Sequence, residues 1–174
     1  MRNPFKRSVT VPTDVVASAH LRPGERVLAG TVAVDGTWLI GTRDALVVLP
    51  AAGDPVRIPW QQVERADWDR EASRLVVTEV GRFGRPRPEH RVVIEEPGLL
   101  LDLVRERVTA SVVLQRRVVV AGRRGLFVVA RRAPHRGGEI TWAYEFDSGV
   151  DPADPGVMAA AEQGLKAAQE ELGL

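Results

Sequence analysis

Short apolar runs separated by turn residues fill positions 26–96 of the chain. Valine, leucine and isoleucine dominate these runs, which occupy residues 27–34, 45–49, 75–80 and 91–95. Asp35 and Gly36, a dipeptide typical of hairpin turns, end the first run. Residues 56–60 alternate apolar side chains with polar ones or proline, as in a half-buried strand. The pattern predicts a series of short antiparallel strands.

The hydrophobic period becomes helical after Pro97 and Gly98. Apolar side chains then recur three or four positions apart, at Leu100, Leu101, Val104 and Val108. Proline is tolerated at the first turn of a helix because its missing N–H would have no partner there. We therefore predict a helix of about three turns that ends the strand series near residue 110.

The remaining third of the chain predicts three more strands and a final helix. The strand patterns lie at residues 112–120, 126–130 and 140–146. Asp154 and Pro155 are typical of a helix start, with Asp154 as the N-cap. The predicted helix carries one apolar stripe, formed by Met158, Ala161, Leu165, Ala168 and Leu172.

These elements predict an α+β protein. We expect a mostly antiparallel, bent sheet closed by a helix, followed by an added three-stranded sheet and a C-terminal helix. The predicted parts are an N-terminal tail over residues 1–23, a first domain over residues 24–110, and an extension over residues 111–174. We expect the extension to pack as one unit with the first domain.

An Ile-Pro-Trp-x-x-Val-x-x-Ala step stands among the predicted strands, and one amphipathic helix follows them. Together they resemble bacterial PH-like and GRAM-like domains over residues 24–110. The resemblance implies a strongly bent antiparallel sheet closed at one end by the helix, and a binding or scaffolding role without catalysis. Lipid-binding members carry a basic cluster in the first hairpin loop; residues 35–37 carry no cation, so no lipid site is implied. The positions of the step are Ile58, Pro59, Trp60, Val63 and Ala66.

Composition excludes several kinds of chemistry. Of 174 residues, 44% are apolar and 27% are charged, and the net charge of +1 creates no global field toward nucleic acid or membrane. The absence of cysteine excludes disulfides, thiolate metal sites and cysteine nucleophiles. The three histidines lie far apart, and no phosphate-loop or nucleophile motif is present. We expect no cofactor, no metal site and no enzymatic activity.

The sequence also predicts a compartment. No apolar run follows the cations of the first residues, and no stretch reaches the ~18 apolar residues of a membrane-spanning helix. We therefore expect a cytoplasmic protein without a transmembrane segment.

Charge is unevenly distributed in the second half of the chain. Residues 103–136 contain nine arginines and one acid, whereas residues 137–174 contain one lysine and eight acids, giving net charges of +8 and −7. The simplest interpretation is that the acidic block neutralises the basic one. The acids that we expect near the arginines are Asp147, Asp151, Glu162 and Glu170.

The arginine-rich hairpin over residues 116–132 is an alternative binding site. A four-residue turn at residues 122–125 would place Arg116 opposite Arg131, and like charges that face each other call for compensating anions. Those anions are either the acidic block or the phosphates of a ligand such as nucleic acid. The candidate contacts are Arg116, Arg117, Arg123, Arg124, Arg131 and Arg132.

A row of aromatic residues, Trp142, Tyr144 and Phe146, lies on one face of the last predicted strand. It forms either the core beneath the final helix or an interface for a partner protein or a second copy, because aromatic residues are enriched in interface cores. We predict that Trp142 and Leu165 belong to one buried cluster.

These patterns favour a non-enzymatic cytoplasmic binding or scaffolding module that acts through protein–protein contacts, including self-association. The alternative is a nucleic-acid or anion binder that uses the hairpin 116–132. A third interpretation is an enzyme whose site is assembled from scattered residues, since such sites need no local motif. Salt dependence separates the first two, because phosphate contacts weaken steeply with salt.

Overall fold

A computed structural model describes residues 9–81, 87–135 and 137–174. It confirms the predicted α+β class, with antiparallel sheets, an added three-stranded sheet and a C-terminal helix. The chain divides into two compact units. The N-terminal unit comprises the chain up to Ser111 together with the short segment Ala133–Gly137. The C-terminal unit comprises Val112–Arg132 and Gly138–Leu174.

Among its described residues, the N-terminal unit contains two sheets and two α-helices. The helices are α1 (Thr13–Ser18) and α2 (Leu100–Ser111). The first sheet has the order β1-β2-β3-β4, with β1 (Val27–Val32), β2 (Trp38–Thr42), β3 (Ala45–Leu49) and β4 (Val56–Pro59). After a 3₁₀ turn at Trp60–Gln62, the second sheet has the order β5-β6-β7, with β5 (Val63–Asp69), β6 (Arg74–Glu79) and β7 (Glu89–Val93).

A backbone hydrogen bond joins the two sheets of the N-terminal unit. The Val34 N–H, just after β1, donates to the Val93 carbonyl of β7 at 2.9 Å. Between the sheets, the side chains of Ile58, Trp60 and Leu100 are fully buried in one core. The Trp60 indole N–H donates to the Thr42 carbonyl at 3.1 Å, so its polar atom is satisfied.

The segment that the sequence assigns to an N-terminal tail includes helix α1. Val11, Val15 and Ala19 pack with Ile40 and Val47. These two strand residues alternate with residues of the main core, so α1 lies on the opposite face of the first sheet. Residues 9–23 therefore pack as part of the N-terminal unit, whereas residues 1–8 lie outside the described part of the chain.

The C-terminal unit is one antiparallel sheet with one helix. The sheet has the order β10-β9-β8, with β8 (Val112–Ala121), β9 (Arg124–Arg131) and β10 (Thr141–Phe146), and the helix is α3 (Pro155–Glu171). Asp154 is the predicted N-cap: its Oδ1 accepts the N–H groups of Gly156 at 2.7 Å and Val157 at 3.1 Å.

The aromatic row lies beneath α3. Trp142, Tyr144 and Phe146 pack against the same cluster as Leu165, which confirms that Trp142 and Leu165 share one cluster. All four side chains are half-buried, so the row packs against the core of the C-terminal unit and keeps part of its surface exposed. None of the described helices is long and apolar enough to cross a membrane.

Candidate functional sites

The arginine hairpin has a different register from the predicted one. Only Gly122 and Arg123 separate the end of β8 from β9, and Arg116 faces Val128 while Arg131 faces Val112. The predicted Arg116–Arg131 pairing is therefore wrong. The reason lies at Gly125, because a Cβ there would collide with the Val118 carbonyl. The glycine thus belongs to the strand, where β8 approaches closely, and the turn shortens to two residues.

Arg117 is held by the acidic block. Its guanidinium makes two bonds to Asp147, at 2.9 and 2.6 Å, donates to the Arg123 carbonyl at 2.8 Å and lies 4.8 Å from the centre of the Phe127 ring. Asp147 also accepts the Gly125 N–H at 2.9 Å. These donors lower the pKa of Asp147 to about 2, with Arg117 as the main cause. The expected neutralisation of the arginine hairpin by the acidic block is confirmed at Arg117, where the acid is Asp147.

Two more of the predicted arginines pair with carboxylates. Arg131 is 4% exposed and contacts Glu145 at 3.2 Å, and Arg116 contacts Glu171 at 3.0 Å. The acids in these two ion pairs are Glu145 and Glu171. The sequence instead predicted Asp151, Glu162 and Glu170 as further partners of the arginines. Three of the six candidate anion contacts, Arg116, Arg117 and Arg131, therefore already have an anion.

The other three candidates, Arg123, Arg124 and Arg132, are exposed. Arg123 lies in the two-residue turn, and Arg132 follows β9. Arg124 lines a groove of about 500 Å³ in the C-terminal unit. The structure therefore divides the six arginines into three that pair with carboxylates and three that form no ion pair with the described residues, a division that the sequence does not predict.

A second groove lies in the N-terminal unit, between β5 and α2. In the described part of the chain, β5 pairs with β6 along one edge, and no strand pairs with its other edge. The groove has a volume of about 460 Å³. Its apolar lining is formed by Ala66, Trp68, Leu75, Leu101, Val104 and Val108.

Charged side chains surround the apolar lining of this β5–α2 groove. Arg65, Asp102 and Arg105 are exposed at its rim. Glu64 also lines it and forms an ion pair with Arg87. A largely apolar lining with a few charges at its rim is typical of a binding groove.

No local pattern in the sequence predicts this groove. The alternation of Ala66 and Trp68 and the helical stripe of Leu101, Val104 and Val108 are both visible in the sequence. Only the tertiary structure shows that these residues of β5 and α2 border each other, next to an open strand edge.

No metal centre is assembled in the part of the chain that the structure describes, where no three His, Cys, Asp or Glu residues form a ligand cluster. Asp69, in an acidic stretch at the end of β5, has a structural role. The Asp69 carboxylate accepts the N–H groups of Glu71 at 3.1 Å and Ala72 at 3.0 Å, and so holds the β5–β6 turn.

Comparison with protein-family models finds no matching family, and searches of curated proteins and solved structures find no significant match.

Proposed function

We propose that this protein is a non-catalytic protein-binding module whose N-terminal unit binds an extended segment of a partner along β5. The observation that carries the proposal is the open edge of β5 beside the β5–α2 groove. Adding a strand to an exposed sheet edge is a recurrent mode of peptide recognition. The backbone supplies affinity, and pockets for alternate side chains supply specificity.

The groove defines which side chains the partner segment should carry. Side chains of an added strand alternate between two faces, so every second residue would point toward the groove. The half-buried Trp68 and Ala66 on β5, and Leu101 and Val108 on α2, favour apolar residues at those positions.

The edge of β5 is protected against indiscriminate pairing. The strand has a register irregularity between Val63 and Arg65, and Arg65, Asp67 and Asp69 are exposed along it. Bulges and charged residues are the devices by which native proteins prevent edge-to-edge aggregation. A partner therefore needs side chains that match this pattern, which favours a specific segment.

The architecture of the N-terminal unit also supports a binding role. Its antiparallel sheets, followed by helix α2, are compatible with the bent sheet and closing helix that the PH-like and GRAM-like resemblance implies. That family resemblance implies binding or scaffolding without catalysis. The cytoplasmic location and self-association stay predictions of the sequence.

The alternative, nucleic-acid binding by the hairpin, has less support. Arg116, Arg117 and Arg131 are each occupied by a carboxylate, so a phosphate would have to displace that carboxylate. A partner segment that binds at the β5–α2 groove does not have to displace a carboxylate from these arginines.

The test uses peptides selected from a random 12-residue library displayed on phage, with the full chain as target. Thr109→Trp fills the groove from an exposed position of α2, and Ala110→Trp, the next exposed residue, does not line it. Fluorescence anisotropy should show that the selected peptides bind T109W at least about tenfold more weakly than they bind the wild-type protein. They should bind A110W as tightly as the wild type. Affinity should change little between low and high salt.

Two outcomes would overturn the proposal. One is a selection that yields no binder, or only peptides indifferent to T109W. The other is tight binding of a double-stranded oligonucleotide that weakens steeply with salt and is lost on removing hairpin arginines, which would establish the alternative.

A further inference from the structure

A groove of about 500 Å³ runs between the end of β8 and the first turns of α3, within the C-terminal unit. Its volume lies in the range of small-molecule sites. Val119 is 60% exposed although it is a large apolar residue. The apolar part of the lining is Val119, Val120, Ala121, Val150, Val157 and Ala160. This α3–β8 groove therefore offers apolar surface to a ligand.

Arg124 supplies the one positive charge in the lining. Unlike Arg117 and Arg131, it has no carboxylate within ion-pairing distance among the described residues. Its guanidinium lies against Gly149, where an added Cβ would be 3.3 Å from the Arg124 Nη1. Gly149 has a φ of +79°, a conformation that favours glycine, so the backbone leaves room for the guanidinium.

Two carboxylates also line the groove, and they restrict where an anion can bind. Asp154 is engaged as the N-cap of α3, and Asp151 accepts the Ala153 N–H at 2.9 Å. Their negative charge disfavours an anionic group near them. An anionic group is therefore favoured only beside Arg124, with the rest of the ligand against the apolar wall.

We propose that the α3–β8 groove binds an aliphatic monocarboxylate, with its carboxylate on Arg124 and its chain along Val119 and the first turns of α3. An apolar chain matches the exposed valine, and the carboxylate matches the unpaired guanidinium, which prefers carboxylates through a two-donor fork. This site is independent of the partner segment proposed for β5.

The experiment titrates the full chain with decanoate, below its micelle-forming concentration, and with decan-1-ol, by isothermal calorimetry and amide chemical shifts. Arg124→Gln removes the charge in the groove. Arg123→Gln is the matched control, because Arg123 is the adjacent exposed arginine and does not line the groove. Circular dichroism verifies that the variants fold.

We expect decanoate to bind more tightly than decan-1-ol and to shift amides of Val119, Val150 and Ala160. Arg124→Gln should weaken the binding of decanoate by about fivefold or more and leave the affinity for decan-1-ol unchanged. Arg123→Gln should change neither affinity. Asp151→Asn should strengthen decanoate binding about twofold, because it removes a like charge.

Three results would overturn the inference. Decan-1-ol that binds as tightly as decanoate would show that Arg124 contributes nothing. Equal losses in R123Q and R124Q would indicate general electrostatic attraction. Absence of decanoate binding at millimolar concentration would show that the groove is not such a site.

Discussion

In each unit of the protein a helix packs against a sheet, but the sizes of the side chains at the two helix–sheet contacts are opposite. In the N-terminal unit, α2 contributes Leu100 to a core that also holds Trp60 and Ile58, all fully buried. In the C-terminal unit, three of the four buried residues of α3 are small, namely Ala161, Gly164 and Ala168 beside Val157, and the aromatic row stays half-buried.

The difference shows which kind of packing the stability of each unit depends on. A core of large side chains depends on filled volume, since removing one leaves a cavity. A helix that approaches a sheet through alanine and glycine depends on close backbone distance, so added atoms should be more harmful than removed ones. Four predictions test this comparison.

The largest expected effect is at Trp60. Trp60→Ala should lower the free energy of unfolding by about 3–5 kcal/mol, because the side chain is fully buried and its N–H bonds to Thr42. Trp142→Ala, in the half-buried row, should cost less than about half of that. Urea unfolding followed by circular dichroism measures both, and equal losses would contradict the contrast between the units.

The next effect is at Gly164, where an added methyl group should destabilise. Replacing glycine by alanine inside a helix normally stabilises by about 1 kcal/mol. Here a Cβ would overlap the Val118 side chain and lie 3.2 Å from Val128 Cγ2, so we expect a net loss of about 1–3 kcal/mol. Gln163→Ala, at the exposed neighbouring position, should change stability by less than about 0.5 kcal/mol. A stabilised G164A would show that α3 is free to move away from the sheet.

A smaller effect is expected at the start of α3. Asp154→Ala removes the acceptor of two helix N–H groups and should cost about 0.5–2 kcal/mol. Asp151→Ala removes a nearby carboxylate that caps no helix, and should cost less than about 0.5 kcal/mol. Thermal unfolding compares the two. The capping role would be refuted by variants of equal stability.

The smallest effect concerns acid stability through Asp147. Its pKa falls from an ordinary 3.8 to about 2 on folding, so its contribution is fully present above pH 4 and disappears as the pH falls toward 2. Asp147→Asn should remove this contribution. The stability difference between wild type and D147N should shrink as the pH is lowered through this window. A difference independent of pH between 2 and 5 would show that the charge of Asp147 does not stabilise the fold.

Local signals along the chain predicted much of the fold. The Asp154–Pro155 start of α3 was correctly predicted because capping involves only neighbouring residues. The strands of the first sheet and helix α2 followed from apolar periodicity, which reports which face an element buries. Neutralisation of the hairpin by the acidic block was also expected, because two blocks of opposite charge in one chain attract each other, but which residues pair was not predictable from the sequence.

Other features depend on contacts between distant residues. The short helix α1 has no side-chain cap and is stable only because Val11 and Val15 meet the first sheet, so its sequence alone favours a tail. The hairpin register depends on the approach of the Val118 carbonyl to Gly125.

The two candidate binding grooves likewise belong to the tertiary structure alone. Ala66 and Leu101 are far apart in sequence, and so are Arg124 and Ala160, yet each pair lines one groove. The sequence determined the composition of each face by itself. Which faces border each other, and which hairpin arginines pair with a carboxylate of the described residues, was decided by packing, because a side chain's environment is set by its neighbours in space.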